Sequence, residues 1–276
     1  RAKVERSIEY MQGAYWGAWC NRILVLGDDG DNNAHMEDAD KMAGIYQNLN
    51  PAVDVRKIYW DAFPLEVTSS SNGYPSVRKL LLEQFDEGSL IVNYSGHGST
   101  GEISHERVLT KADMANLKSK RLPFWITASC DISPFDSPLE SLGVNLVNNA
   151  DGGAIGLLGT TRTVYASLNG CMNRSFSRYL LSRSADGRLN TLGDAMRLAK
   201  NELVTQGVGE NDRTENKIHF VLLGDPALHL AVAELKAVVD RFADTDTTVT
   251  GQARAGSVIT VSGHIECNGE RFRYGV

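Results

Sequence analysis

The fold turns on "LIVNYSGHGST", Leu90 to Thr100. Leu90, Ile91 and Val92 are apolar without alternation, then Asn93-Tyr94-Ser95 closes the run and a histidine follows between two glycines. A strand with one wet face alternates apolar and polar residues. A strand that is apolar on successive positions has both faces covered, which is the habit of parallel sheets packed between helices. "SLIVNY" therefore predicts an interior strand, and His97 lies just past its end.

The flanking sequence repeats this pattern. Upstream, "RILVLGDD" (22–29) reads as a short buried strand, "MEDADKMAGIYQNL" (36–49) as a helix and "VDVRKIYW" (53–60) as another strand. In "VRKLLLEQF" Val77, Leu80, Leu81 and Phe85 fall at helical spacing, with Gly88 as a stop. Downstream come the strand "LPFWITA" (122–128), a helix with Leu139, Leu142, Leu146 and Val147 on one face, and the strand "GAIGLLG" (153–159). Helices over Ala166–Ser182 and Leu192–Val204 precede a last short strand in "HFVLLGDP" (219–226). Apolar strands alternating with amphipathic helices predict an α/β fold, a mostly parallel sheet with helices on both faces. After Leu230 the texture changes. "DTTVTGQARAGSVITVSGHIE" (246–266) alternates between glycine turns, as strands of an antiparallel sandwich do. The expected organisation is one α/β domain over 1–232 and the beginning of an immunoglobulin-like β-domain over 233–276.

Composition narrows the function. A net charge of −6 without a basic cluster speaks against nucleic-acid partners. No run reaches the roughly 18 apolar residues of a membrane span, and no signal-peptide pattern opens the chain. Because it starts at Arg1 and stops inside strand-like sequence, it reads as a piece of a longer protein. Four cysteines (Cys20, Cys130, Cys171, Cys267) are too few for a disulfide scaffold of this size.

Ligands of open parallel sheets bind beyond the carboxyl ends of the strands. Three strands here end in reactive groups: Asp28-Asp29, Ser95-Gly96-His97-Gly98, and Cys130-Asp131. A thiol becomes a good nucleophile only as thiolate, and a neighbouring imidazole can take its proton. Gly98 leaves its backbone N–H bare, so with the amide of Cys130 it would form a two-donor oxyanion hole. Asp29 would hold the imidazole from behind, with Asp28 beside it as the alternative. Taken singly, a cysteine is usually an inert small hydrophobe and a histidine a hydrogen-bonded one. Their joint position at strand ends is what favours chemistry. Asp28-Asp29-Gly30-Asp31 also suits an ordinary strand-to-helix turn. Its spacing fails the EF-hand pattern, because Ala34 stands sixth from Asp29. "GGAIGLLGTT" lacks the Gly-Lys-Ser/Thr of a phosphate loop, which argues against nucleotides. His35, His105, His219, His229 and His264 lack zinc-ligand spacing, His35 alone reading as a rim residue. No cofactor or catalytic metal is expected, and a structural calcium ion is not predicted.

"NYSGHGS", and Cys130 placed 33 residues after His97 behind "LPFWITASC", resemble the two motifs of the gingipain-type cysteine peptidases. "GGAIGLLGTTRTVYAS" and "VLLGDPAL" are similar to later landmarks of that family. The resemblance spans about 1–232 and implies a caspase-like fold, a Cys130–His97 pair, oxyanion donors at Gly98 and Cys130, and an acid at Asp29. It also implies an aromatic pocket wall at Tyr165. "DDGDNNAHMED", "TASCDISPFDSPLESLGVNLV" and "VITVSGHIE" are most similar to the family's sortase branch, which serves bacterial type IX secretion. That likeness implies an outer-membrane-associated enzyme on the cell surface. Its partners would be exported polypeptides with C-terminal signal domains, other secretion components, and anionic lipopolysaccharide as acceptor.

Overall fold

The structure is a computed structural model that describes residues 2–67, 72–184, 187–205, 207, 209–232, 235–244, 255–267 and 270–271. It divides into two compact units, residues 1–231 and 232–276. The first is built on a six-stranded sheet of β1 (Arg22–Gly27), β2 (Asp54–Tyr59), β3 (Ile91–Ser95), β4 (Phe124–Ala128), β5 (Gly156–Thr160) and β6 (Phe220–Gly224). Its spatial order is β6-β5-β4-β3-β1-β2. Five strands run parallel, and β6 pairs antiparallel to β5. Apolar sequence marked β6 as a strand but carried no sign of its direction.

Successive side chains of a strand face opposite ways, so each strand feeds two cores. Leu24, Leu26, Val92, Tyr94, Trp125 and Leu157 meet Val77, Leu81 and Phe85 of the helix Pro75–Glu87, with Leu142 and Leu146 of the helix Leu142–Asn148. The opposite face packs against helices Ala34–Leu49 and Ala166–Leu180, the latter also against Leu192–Val204. Phe124 stacks on Phe176 there, centroids 5.8 Å apart. Helical periodicity thus located its elements to within a few residues. Leu139 is an exception: it is 72% exposed, because the helix starts only at Leu142, where the Ser141 hydroxyl accepts the Val144 N–H at 3.4 Å.

The chain passes from β1 to β2 on one side and then to β3 on the other. Reversal of strand order between β1 and β3 opens a crevice at their carboxyl ends, where ligands of such sheets bind. Asp28 and His97 stand at its two lips.

In the second unit Leu235–Asp244 pairs antiparallel with Ile259–Cys267, which pairs with Glu270–Arg271. The first of these strands was not legible in the sequence. Its register shifts between Val239 and Arg241, which breaks the period-two pattern. Residues 246–254 of the expected strand "DTTVT" and its turn lie outside the described residues.

Polar Asn93, buried in the middle of β3, is held by side chains from two helices. Its Nδ2 donates to Tyr46 Oη (2.8 Å) and to Asn173 Oδ1 (2.7 Å), and its Oδ1 accepts from Asn173 Nδ2 (2.9 Å). Tyr46 Oη lies 2.9 Å from Ser177 Oγ. Replacing Asn93 by leucine strands the Asn173 amide in a dry interior, at a cost of about 2–3 kcal/mol. Asn93→Leu should lower the urea midpoint accordingly. An unchanged midpoint would mean that the network is dispensable.

Candidate active site

The ladder between β3 and β4 ends with Ser95 opposite Ala128. His97 and Cys130 each stand two residues past that rung, beyond adjacent parallel strands, so sheet register carries the two residues to the same level. The two loops then approach closely. A Cβ on Gly98 would sit 2.4 Å from Ser129 Oγ and 2.6 Å from Ile132 Cδ1. One on Gly96 would sit 2.2 Å from Tyr94 Oη and 2.5 Å from the Asp28 Cβ. Both glycines flanking His97 are therefore required by packing against the protein itself.

Gly98 bridges antiparallel to Ile103, but the bonds flanking it run from Ser99 N–H to Glu102 O and from Ser104 N–H to His97 O, each 3.0 Å. Among the described residues no hydrogen bond engages the Gly98 or the Cys130 amide. Cys130 is half-buried, its Sγ 3.3 Å from Val164 O and 3.4 Å from Val164 N. The next residue, Asp131, has φ 50°, a left-handed conformation costly for a side chain other than glycine. It is held there by a bond from its N–H to Arg162 O (3.3 Å) and by the Thr163 hydroxyl donating to its Oδ2 (3.0 Å).

The carboxylate that meets the His97 ring is Asp31, whose Oδ2 lies 2.7 Å from His97 Nε2. Asp29 takes another partner: its Oδ2 accepts the Tyr74 phenol at 2.7 Å. Asp28 is spent on the backbone, its Oδ2 accepting the His97 N–H at 2.8 Å and lying 3.1 Å from Tyr94 Oη. The structure thus moves the contact with the ring two residues downstream of the sequence-based expectation. Gly30, Asp31, Asn32 and Asn33 all have positive φ (75°, 45°, 54°, 67°), which winds the loop back toward His97. Asn and Asp tolerate this conformation better than other side chains, and that is the physical content of "GDNN".

Two further imidazoles frame the base. His105 stacks on the His97 ring at 4.1 Å and 17°, and His35 meets it edge-on at 4.9 Å and 83°. Buried His35 also brings its Nε2 to 3.2 Å from the same Asp31 Oδ2. The His97 hydrogen bond holds the Asp31 carboxyl below the usual carboxylate range. Burial, then the charge of His97, lowers His35. With Nε2 facing Asp31, Nδ1 is the His97 atom left to accept a proton. Sequence spacing did not mark His105 or Asp31. Tyr165 follows β5 on the same rim and is 73% exposed, its N–H bonded to Asn216 Oδ1 at 2.7 Å. Asp28, Asp29 and Glu106 bring carboxylate oxygens within 4.8 Å of one another, a hard-donor set, while Asp31, His35 and His97 form a mixed one.

Burial pushes the Asp28 carboxyl up to about 6, against the pull of the His97 N–H. The folded state thus keeps a proton that the unfolded chain releases near pH 4. The stability tied to this proton is complete below about pH 4 and lost as pH rises through about 6, a swing of about 3 kcal/mol. Asp28→Asn carries no titratable group. Its stability relative to the parent chain, from denaturant titrations, should therefore rise between pH 4 and pH 7 by up to that amount. A constant difference would show that Asp28 titrates normally.

The sequence model of peptidase family C25 matches residues 1–231. Among solved structures, the Arg-specific cysteine proteinase gingipain R (RgpB) is similar with a TM-score of 0.61 and 16% identity, over 98% of this chain and 66% of that one. The complex of Porphyromonas gingivalis RgpB pro- and mature domains gives 0.61 and 14%, over 98% and 67%. A further protease structure gives 0.58 and 16%, over 95% and 59%. The chain thus spans about two thirds of the length of the first two. At such identities the likeness is one of fold. No curated protein matches it in sequence. A parallel sheet with an imidazole and a thiol past one rung, matched along the whole first unit by one family model, leads to a single assignment: the chain belongs to peptidase family C25, the gingipain family, and has its caspase-like cysteine-peptidase fold.

Proposed function

We infer that this domain is a cysteine peptidase in which Cys130 is the nucleophile and His97 the general base. The observation that carries this reading is the rung Ser95–Ala128, with thiol and imidazole each two residues beyond it. His97 Nδ1 takes the thiol proton, and Sγ attacks the peptide carbonyl carbon. The oxyanion that forms is received by the unengaged amides of Gly98 and Cys130. The C–N bond then breaks, the imidazolium gives its proton to the departing amine, and a thioester remains on Cys130. Asp31 orients the ring, the part that sequence order had assigned to Asp29. Tyr165, with its ring open to solvent, would line the pocket for the residue before the scissile bond.

The finer reading is a sortase of type IX secretion, similar to PorU. It would act at the cell surface on exported proteins with C-terminal signal domains, together with other secretion components, and pass the acyl group to anionic lipopolysaccharide. The second unit would begin an immunoglobulin-like domain. Both acids that follow Cys130 are engaged: Asp131 by Thr163, and Asp136 by Arg162 through bonds of 3.1 and 2.6 Å. Asp136 is thus paired on both oxygens by an arginine of the chain itself, which supports a preference other than that of an arginine-specific protease.

Cys130→Ala should abolish turnover and leave thermal unfolding nearly unchanged, since a half-buried rim thiol adds little to the core. His97→Ala should cost about 10²- to 10⁴-fold in kcat, the scale of general acid–base catalysis. Asp31→Asn should lower kcat by more than about tenfold, whereas Asp29→Asn stays within about twofold. Peptide turnover measured on these four variants decides the roles. Equal losses at Asp29 and Asp31 would return the orienting role to the earlier residue.

The fate of the thioester separates sortase from protease. With a model C-terminal signal substrate and graded amine acceptor, purified lipopolysaccharide included, mass spectrometry should find a transfer product rising as the hydrolysed acid falls. Free carboxylate alone at every acceptor level would make the domain a processing endopeptidase. No labelling of Cys130 by a peptide electrophile would make it a non-catalytic scaffold.

A further inference from the structure

Asp31 Oδ2 is approached by two imidazole nitrogens at once, His97 Nε2 at 2.7 Å and His35 Nε2 at 3.2 Å. Only the first is a hydrogen bond. His35 Nε2 is buried and makes none, although its ring is packed beside that of His97 and only 5% of the residue is exposed. A desolvated nitrogen aimed at an oxygen that another donor already occupies is costly as hydrogen bonding alone. As part of a ligand set it is well placed. Two imidazole nitrogens and one carboxylate, all within 4.8 Å, are a three-donor set of the kind that binds zinc with one position left open. Donors around tetrahedral zinc lie about 3.3 Å apart, which the His35–Asp31 pair already meets. Asp31 is half exposed, so the open position has access to water.

We propose that Asp31, His35 and His97 form a binding site for a zinc-class divalent ion, and that its occupation switches the peptidase off. The switching part rests on the assignment of His97 as general base. In the metal-free site the neutral imidazole carries its proton on Nε2, donated to Asp31, and keeps its lone pair at Nδ1 for the thiol. A metal ion at Nε2 needs the lone pair there, so the single proton of the neutral ring must move to Nδ1. No proton is gained or lost by His97, but the ring nitrogen left to take the thiol proton becomes an N–H. Asp31 is at the same time turned from orienting the ring to ligating the ion. Inhibition of this kind leaves Cys130 untouched, unlike capture of a metal by the thiolate.

The experiment separates this site from a thiolate site and from the peptidase assignment. In the Cys130→Ala chain, calorimetric titration with zinc chloride should show one ion per chain. Nitrogen NMR of the His97 ring should show the proton moving from Nε2 to Nδ1. His35→Gln in that background should weaken binding by more than about 100-fold, beyond the 10- to 100-fold loss usual for residues outside the ligand shell. Asp31→Asn, at a half-exposed position that tolerates substitution, should weaken it likewise and guards against a folding defect at buried His35. Zinc that binds only when Cys130 is present, or that binds equally well after His35→Gln and Asp31→Asn, would overturn the site. Binding with the tautomer shift sustains the site whether or not the parent chain turns over peptide. Activity at saturating zinc in the parent chain would overturn the switch.

Discussion

The rim depends on one buried carboxyl group at the end of β1. Asp28 is 1% exposed, and its Oδ2 holds the main chain of His97 through the N–H. Beside it, Tyr94 Oη lies 2.7 Å from His97 O and 3.1 Å from Asp28 Oδ2. A phenol has one proton for these two acceptors. A protonated Asp28 resolves the conflict, because it can donate to Tyr94 Oη while the phenol donates to His97 O. Burial favours this neutral acid, while the contacts with His97 N–H and Tyr94 pull toward the carboxylate. Gly96 follows from the same arrangement, since no side chain fits between Tyr94 and Asp28. The sheet ladder stops at Ser95, and Asp28 extends its order past the last rung to the backbone of the base.

A second layer of constraint fixes the imidazole itself. Stacking on His105, the edge of His35 and the bond to Asp31 leave the His97 ring little freedom. The price is a loop of consecutive left-handed residues, each non-glycine one costing about 1 kcal/mol or more. Such strain persists where surrounding structure determines it, and here the loop joins β1 directly to a long helix. The Cys130 side uses the same device on a smaller scale, with Asp131 held at positive φ by the loop after β5. Neighbouring strand ends thus brace one another, and the reacting atoms occupy the gap between braced loops.

Charges around this gap are arranged locally, independent of the net charge. Asp29 is tied to Tyr74, Asp131 to Thr163 and Asp136 to Arg162, which leaves Asp31 as the carboxylate against the imidazole. That bond fixes the face and tilt at which the ring meets the thiol side of the rim.

The sequence by itself determined the strands β1 to β6, the longer helices between them and the presence of a thiol and an imidazole on one rim, but not the short helix Lys111–Asn116. Continuous apolar runs and helical periodicity are local signals, and parallel order follows once both faces must be covered. It did not carry the antiparallel direction of β6, because an apolar run is the same read either way. It did not separate Asp28, Asp29 and Asp31 into three different tasks. All three sit in one turn-forming stretch whose composition serves equally for a bland connection. Which carboxylate reaches His97 was decided by the left-handed path of residues 30–33 and by Tyr94 and Tyr74 claiming the other two. His105 entered the site in the same way, through contacts between distant segments, whereas His35 was already legible as a rim residue. Strand order is written in the periodicity of side chains. The choice among neighbouring polar groups is made by partners that only folding brings within about 3 Å.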